Sequence, residues 1–153
     1  MKKLSNPRDL LVAELSELLW VERRLAFDVL PSVIEAASDE QLKALFNEHL
    51  DETREHVQRV EQAFRALEME PSSAFSPGFS GLIEQHDEVA NKIVEPDLAD
   101  RWHAAAGIAA EHFELALYAG LEPLAGRELW DLLDANAKQE NRALEKLERY
   151  ARR

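Results

Sequence analysis

The stretch EHLDETREH, residues 48–56, places two histidines on the apolar side of a predicted helix. His49 and His56 share this side, with Glu52 and Thr53 between them. Polar groups are costly in a helical core unless they are paired, so the stretch predicts a buried polar site. The apolar residues of the same side recur at the three- and four-residue spacing of an amphipathic helix. They are Leu42, Leu45, Phe46, Val57, Val60, Phe64 and Leu67.

Length and composition limit the possible classes of protein. The chain has 153 residues, about the length of one domain, and we expect residues 1–153 to form a single domain. It has no cysteine, which excludes disulfides and thiolate metal sites and fits a reducing, cytoplasmic compartment. Its formal net charge of −12 has the wrong sign for nucleic acid or anionic lipid. We find no signal peptide and no apolar run of about 20 residues, so we expect no membrane partner.

Long segments of helical periodicity, separated by few glycines and prolines, predict an all-α protein. We expect a four-helix bundle with a long crossover between its second and third helices, and a short extra helix in that crossover. The predicted elements are a helix from Pro7 to about Ala37 kinked at Pro31, a helix capped by Ser38 or Asp39 that ends near Met69, a loop over residues 70–81, a connecting helix over residues 82–94, a helix from Asp97 to Gly120, and a helix from Pro123 or Arg127 to Tyr150.

Each long helix carries glutamate on its predicted inner side. Glu22 interrupts the apolar series of the first helix, which includes Leu25 and Val29, and Glu52 accompanies the histidines of the second. An unpaired carboxylate costs many kcal/mol in such an interior. Two divalent metal ions would satisfy several carboxylates together, and iron and manganese accept both carboxylate oxygen and imidazole nitrogen. The glutamates of the third and fourth helices are Glu111, Glu114 and Glu140.

Six stretches also resemble a known family, in the same order and at nearly the same spacing. They are ELSELLWVERRL (14–25), LPSVIEAAS (30–38), LKALFNEHLDET (42–53), RVEQ (59–62), GLIEQ (81–85) and AAEHFELALY (109–118). HLDET and EHFE are the most specific segments, because leucines at helical spacing occur in any bundle. The sequence resembles the YciF/YciE-type branch of the ferritin-like superfamily, a group of bacterial stress-associated proteins.

This resemblance implies a ferritin-like four-helix fold, a homodimer and a dimetal centre inside the bundle. The metals would be two divalent ions, iron first, with manganese or zinc as alternatives. Oxygen or peroxide would be the small-molecule oxidant, and an oxidase- or peroxidase-like activity is left open. Substrate hydroxylation is less favoured, because the sequence gives no argument for a sizeable apolar pocket. The metal ligands would be Glu22, His49 or Glu52, Glu111, Glu114 and Glu140, with His56 as a further donor where the family commonly has glutamine.

Two departures from the family pattern support a rival interpretation. Leu144 and Ala135 stand where acidic residues are common, so the last helix offers fewer ligands. The protein would then be a metal-free dimeric bundle with a degenerate site, acting as a structural or interaction module in the stress response. A third interpretation has the inner glutamates protonated or paired with arginine. The candidate arginines are Arg23, Arg54 and Arg142.

Other polar or aromatic residues receive separate predictions. Tyr118 follows Glu114 by one turn, and we expect it to be buried and to hydrogen-bond a carboxylate. His112 lies about 100° around the helix from Glu111, so we expect a packing role or a place behind the ligands. His86 and His103 are predicted to be structural or surface residues.

Overall fold

The fold is given by a computed structural model that describes residues 3–153. This part of the chain contains helices and no β-strand, which confirms the all-α prediction. None of its helices combines the length and apolar character needed to cross a bilayer. The elements are α1 (Pro7–Arg24), a π-helical segment (Leu25–Val29), α2 (Leu30–Ala36), α3 (Glu40–Ala66), α4 (Pro77–Ala90) and α5 (Pro96–Ala151).

Helix α5 is two antiparallel arms joined at a single residue. Gly126 has φ 71° and ψ 164°, a conformation that a side chain disfavours, and the chain turns there. Asn136 on the second arm reaches Tyr118 on the first, 3.0 Å away, which shows the antiparallel pairing. The predicted helix end at Gly120 is wrong, because the first arm continues through Pro123 to the turn. With α1–α2 and α3, the two arms complete four long helical rods.

A π-helical turn replaces the predicted simple kink at Pro31. The Leu30 N–H donates to the carbonyl of Leu25, five residues back, so the turn holds one extra residue. The core position therefore moves from Val29, which is half-buried, to Leu30, which is buried. Proline clashes with the carbonyl four residues before it, and the wider turn lies where that clash would occur. Upstream of the turn, Glu22 keeps its predicted inward position.

The turn between α2 and α3 is fastened to α5 by a buried carboxylate. Asp100 accepts hydrogen bonds from the backbone N–H groups of Ser38, at 2.8 Å, and Asp39, at 2.9 Å. Asp39 then caps α3 by accepting from the N–H of Gln41 and of Leu42, as one of the two predicted caps. These bonds fix where α3 begins and hence the direction in which its histidines point.

Helix α4 begins at Pro77, inside the predicted loop, and ends at Ala90, earlier than predicted. Pro77 suits a first helical position because no N–H is needed there. The Ser76 hydroxyl accepts from the N–H of Phe79 at 3.3 Å and donates to Glu17 of α1 at 2.6 Å. The buried side chain of Phe79 also holds the start of α4 against the bundle. The glycines after Pro77 suggested a loop, but the cap and the buried ring outweigh their low helix propensity.

Helix α3 ends earlier than the predicted Met69, in a left-handed residue that is not glycine. Glu68 has φ 59°, and it alone among the non-glycine residues of 3–153 has a positive φ. The Met69 N–H donates to the Phe64 carbonyl at 3.0 Å, which closes a Schellman-type cap. This geometry usually selects glycine, because a Cβ in the left-handed region is strained.

We predict that Glu68→Gly stabilises the protein. Relief of the left-handed strain should add about 1 kcal/mol to the free energy of unfolding, which corresponds to a rise in Tm of about 2 to 4 °C. Thermal denaturation measures it, with Glu70→Gly as the control at a residue of ordinary φ. A Tm that falls equally in both variants would contradict the assignment of the cap.

Candidate metal centre

Six of the seven predicted metal-binding side chains converge in the middle of the bundle, and all six are buried. They form two groups, and within each group one ligand atom per residue lies within 4.8 Å of the others. The first group is His49, Glu111, Glu114 and Glu140, and the second is Glu22, His56 and Glu140.

All four helical rods contribute to these groups. Helix α1 supplies Glu22 from its last turn, α3 supplies both histidines, and each arm of α5 supplies glutamate. Residues three or seven apart lie on one face of a helix, which explains why Glu111 and Glu114, and likewise the histidines, point the same way. The antiparallel arms bring Glu140 opposite them. The site therefore depends on the packing of the whole bundle.

Glu140 is shared by the two groups. Its Oε1 lies 2.8 Å from Nδ1 of His56, and its Oε2 lies 3.8 Å from Nε2 of His49. Neither oxygen has a well-aligned hydrogen bond from residues 3–153. One carboxylate that presents an oxygen to each of two ligand groups is the arrangement of a bridging ligand.

Several other polar atoms of the groups also lack hydrogen-bond partners among the described residues. Nε2 of His49 lies 2.9 Å from Oε1 of Glu111, and Nδ1 of His56 lies 3.4 Å from Oε2 of Glu22. Buried polar atoms are rarely left without partners, so this concentration requires an explanation. Cations would supply one. The atoms without partners are Glu22 Oε2, His49 Nδ1, His56 Nδ1, Glu111 Oε2 and both carboxylate oxygens of Glu114 and Glu140.

Burial and mutual repulsion determine which carboxyls can ionise in the metal-free protein. Burial, reinforced by the charge of Glu140, raises the pKa of Glu111 and of Glu114 well above the usual 4.5. Burial acts in the same direction on Glu140, but the charges of His49 and His56 outweigh it and lower its pKa to about 2. Burial would also lower the pKa of His56, yet Glu22 and Glu140 raise it to about 11. Without a cation, the centre therefore retains protons.

A hydrogen-bond chain holds Glu22 from behind. The Tyr118 hydroxyl donates to Oε1 of Glu22 at 2.5 Å, which confirms the predicted contact with a carboxylate. Asn136 in turn donates to the Tyr118 oxygen at 3.0 Å. Only one oxygen of Glu22 is thereby satisfied, and the other faces His56. Asn136 was not predicted, although it lies one turn before Glu140 on the same helical face.

A second chain sets the tautomer of His56. Its Nε2 lies 3.1 Å from Oε1 of Gln139, and Arg59 donates to the same oxygen at 2.7 Å. Because that oxygen only accepts, Nε2 of His56 carries the hydrogen. In the neutral ring, Nδ1 then presents a lone pair to the oxygens of Glu22 and Glu140, a repulsive contact unless a proton or a metal ion lies between them. This tautomer would leave Nδ1 free to bind a metal ion.

Glu52 is the predicted ligand that lies outside both groups. It is half-buried, and Thr53 takes the inward position beside it, with its hydroxyl donating to the His49 carbonyl at 2.8 Å. Relative to His49, Thr53 is displaced by about 40° around the helix and Glu52 by about 60° to the other side. Of the predicted alternatives, His49 rather than Glu52 thus faces the other ligands. Leu144 is buried and Ala135 is half-buried, so the second arm supplies Glu140 alone.

The three candidate arginines do not reach the buried glutamates. Arg23 pairs with Glu61 at 2.8 Å, Arg54 pairs with Asp51 at 3.0 Å, and Arg142 is exposed. Arginine pairing as the reason for the inner carboxylates is therefore wrong. Arg59 instead donates hydrogen bonds to Asn136 and Gln139, which contact Tyr118 and His56.

The remaining histidines lie outside the two groups. The His112 side chain is 60% exposed and 4.0 Å from Glu148, so the predicted packing role is wrong. His103 is buried, and its Nδ1 lies 2.9 Å from Nε2 of His86. Both line a cavity of about 230 Å³ that also reaches His49 and Glu111. No pattern in the sequence predicted such a pocket.

Comparisons with known proteins place the chain in one group. A curated relative, protein YciF of Escherichia coli K12, is 29% identical over 118 residues, which are 76% of this chain and 70% of YciF. The crystal structure of the E. coli stress protein YciF matches with a TM-score of 0.90 and 27% identity, over 97% of this chain and 96% of that chain. YcfI of Rhodopseudomonas palustris, provisionally described as a structural protein, matches with a TM-score of 0.92 and 30% identity, over 96% of both chains.

These matches confirm the ferritin-like helical fold and the resemblance to YciF. A family model described as "Domain of unknown function (DUF892)" matches residues 6–153. Because that match spans nearly the whole chain, the protein belongs to the DUF892 family and is a YciF-like helical protein.

Proposed function

We propose that this protein binds two divalent metal ions, iron first, in a carboxylate and histidine centre that is bridged by Glu140. The observation that carries the proposal is the set of buried oxygens and nitrogens that lack partners and converge in two groups around one shared carboxylate. Manganese or zinc would suit the same donors, since carboxylates and imidazoles accept all three metals.

Charge balance supports two ions rather than one. The groups contain four glutamates, which carry four negative charges when ionised, and two histidines that are neutral when they ligate. Two divalent cations would neutralise the four carboxylates. A single cation would balance only two of them, and the other two carboxyls would have to retain protons or pair with a charged histidine, because bare charges cost several kcal/mol each in this interior.

The residues around the centre position its ligands. Tyr118 fixes one oxygen of Glu22 and leaves the other to face His56. Gln139 fixes the hydrogen of His56 on Nε2, which keeps Nδ1 available. The ligand side chains are buried in the bundle interior, and the cavity of about 230 Å³ reaches only His49 and Glu111 among them. Iron bound at such a site can react with oxygen or peroxide, and this chemistry is consistent with a role in oxidative stress.

A structural module with a decayed site is the second candidate. The description of the R. palustris relative and Leu144 at a commonly acidic position favour it. It predicts no bound metal. Homodimerisation, implied by the resemblance to the family, stays a prediction, and light scattering on the purified protein would measure it.

We predict that the protein binds about two ferrous ions per chain after anaerobic loading. Glu140→Ala should abolish binding at both positions, because both groups use this carboxylate. Glu22→Ala should abolish binding at the position formed by Glu22, His56 and Glu140. It should weaken binding at the other position by a smaller amount. Metal analysis after desalting measures the stoichiometry, with Glu122→Ala, an exposed glutamate on α5, as the matched control. A wild-type stoichiometry near zero supports the structural module, and equal binding by the Glu140 variant contradicts the bridge.

We predict that the metal-free protein loses stability as the pH rises above about 4.5. Burial raises the folded-state pKa of Glu111 and of Glu114, so the unfolded chain loses these protons near pH 4.5 while the folded chain holds them. Each such carboxyl removes about 1.4 kcal/mol per pH unit. His56, with a pKa of about 11, contributes stability below pH 6.5 that is lost as the pH rises through 11, and so acts in the same direction. Glu140, with a pKa of about 2, loses its contribution only below pH 4.5.

Urea denaturation in the presence of a chelator measures this slope. The double variant Glu111→Gln, Glu114→Gln should show a shallower slope and exceed the metal-free wild type in stability at pH 8. Saturating ferrous ion should flatten the wild-type curve and change that of the variant less, because the variant keeps only the group of Glu22, His56 and Glu140 intact. Glu122→Gln is the control for charge removal at an exposed position. If the free energy of unfolding falls with pH equally in the wild type and the double variant, these carboxyls ionise in the folded state as they do in the unfolded chain, which contradicts the prediction.

A further inference from the structure

The cavity of about 230 Å³ connects the surface with one side of the candidate metal centre. Its lining includes Arg24 and Asp28, which pair with each other at 2.7 Å and are about half exposed. It also includes His49 and Glu111, both buried. The lining includes neither Glu22 nor any other residue found only in the second group. Access from this cavity is therefore one-sided, to the His49 and Glu111 group.

The size and lining of the cavity suit a small organic molecule. A dry apolar cavity of about 150 Å³ is known to bind benzene, so this one has room for a substituted ring. The small residues Ala106, Gly107 and Ala110 of α5 line one side of the cavity without filling the space. Most of the other walls are apolar, from Leu25, Val33, Phe46, Phe79, Leu82 and Ile83.

A pair of histidines gives the cavity a defined polar group. Nδ1 of His86 lies 3.0 Å from the carboxylate of Asp87, which only accepts, so it carries a hydrogen. In the neutral ring Nε2 of His86 is then an acceptor, and Nδ1 of His103 donates to it across 2.9 Å. Nε2 of His103 is left with a lone pair and has no hydrogen-bond partner among residues 3–153. This chain of bonds favours a ligand that donates a hydrogen.

The electrostatics favour a neutral ligand. Burial and the neighbouring His86 lower the pKa of His103, so its ring is neutral at physiological pH. The one arginine in the lining is already paired with Asp28, and the whole chain carries a net charge of −12. An anionic ligand would meet repulsion from Asp28 and Asp87 of the lining without a free cationic side chain to balance it.

We infer that this cavity binds a small neutral hydroxyl compound about the size of phenol, which donates its hydrogen bond to Nε2 of His103 and lies beside the His49 and Glu111 group. Binding in the cavity requires only the described side chains. The position of the ligand next to a metal ion rests on the proposed function.

Phenol titrated into the full-length, metal-free protein tests the site. Isothermal calorimetry should show saturable binding of one phenol per chain, and nuclear Overhauser contacts should connect its ring protons with the methyl groups of Ile83 and Ala110. Ala110→Phe places a ring in the cavity and should weaken binding roughly tenfold or more. Ala109→Phe is the matched control, because Ala109 is the exposed neighbour and does not line the cavity.

Fluorobenzene separates the hydrogen bond from simple filling of the cavity. It is close to phenol in size and has no donor, so the wild type should bind phenol about five- to tenfold more tightly. His103→Leu should reduce that preference to near one without abolishing the binding of fluorobenzene. Equal affinities of the wild type for both probes would overturn the role of His103.

Lack of saturable binding by the wild type, or equal binding by a folded Ala110→Phe variant, would overturn the cavity site. The Overhauser contacts test the location in the wild type even if that variant fails to fold. In Mn²⁺-loaded protein, faster relaxation of the phenol protons should place the ligand beside the metal. Phenol binding without metal binding would contradict the proposed function alone, and metal binding without phenol binding would contradict this inference alone.

Discussion

The burial of four carboxylates in one interior is the constraint on which the rest of the structure depends. Their oxygens receive few hydrogen bonds, and the candidate arginines Arg23 and Arg54 pair with other carboxylates. Protons can neutralise Glu111 and Glu114 in the metal-free state, and His56 can compensate Glu140. That solution ties the stability of the fold to pH. Shared cations would remove the dependence, so metal binding and the stability of the bundle are coupled in this account.

The sequence was sufficient for the helical rods and for most of the centre. Apolar residues at helical spacing place Glu22, His49 and Glu140 on inner faces, because a helix has a fixed angle per residue. By the same rule, Thr53 lies about 40° from His49 around the helix and Glu52 about 60° to the other side. These offsets are too similar to decide which of the two residues points inward, and the packing of the neighbouring helices decides it. The π-helical turn before Pro31 was not predicted, because a proline in a helix indicates a kink but does not show that one extra residue is accommodated in the turn.

The features behind the centre depend on contacts that are distant in sequence. Gln139 acts on His56 across the bundle, and Arg59 links it to Asn136. No periodic pattern marks such contacts, although Asn136 could have been noticed as a polar residue on an apolar face. The cavity likewise forms from α3, α4, α5 and the π-helical region, so it appears only when the rods are assembled. It is lined by His49 and Glu111 of one group and by none of Glu22, His56 and Glu140.

Anomalous diffraction from crystals of the ferrous-loaded protein, at the iron edge, is the most direct measurement of the central claim. The account predicts two iron peaks inside the bundle, each within coordination distance of a different oxygen of Glu140, one near His49 and the other near His56. A map without peaks at these positions, with the glutamates hydrogen-bonded to one another through protons, would contradict it.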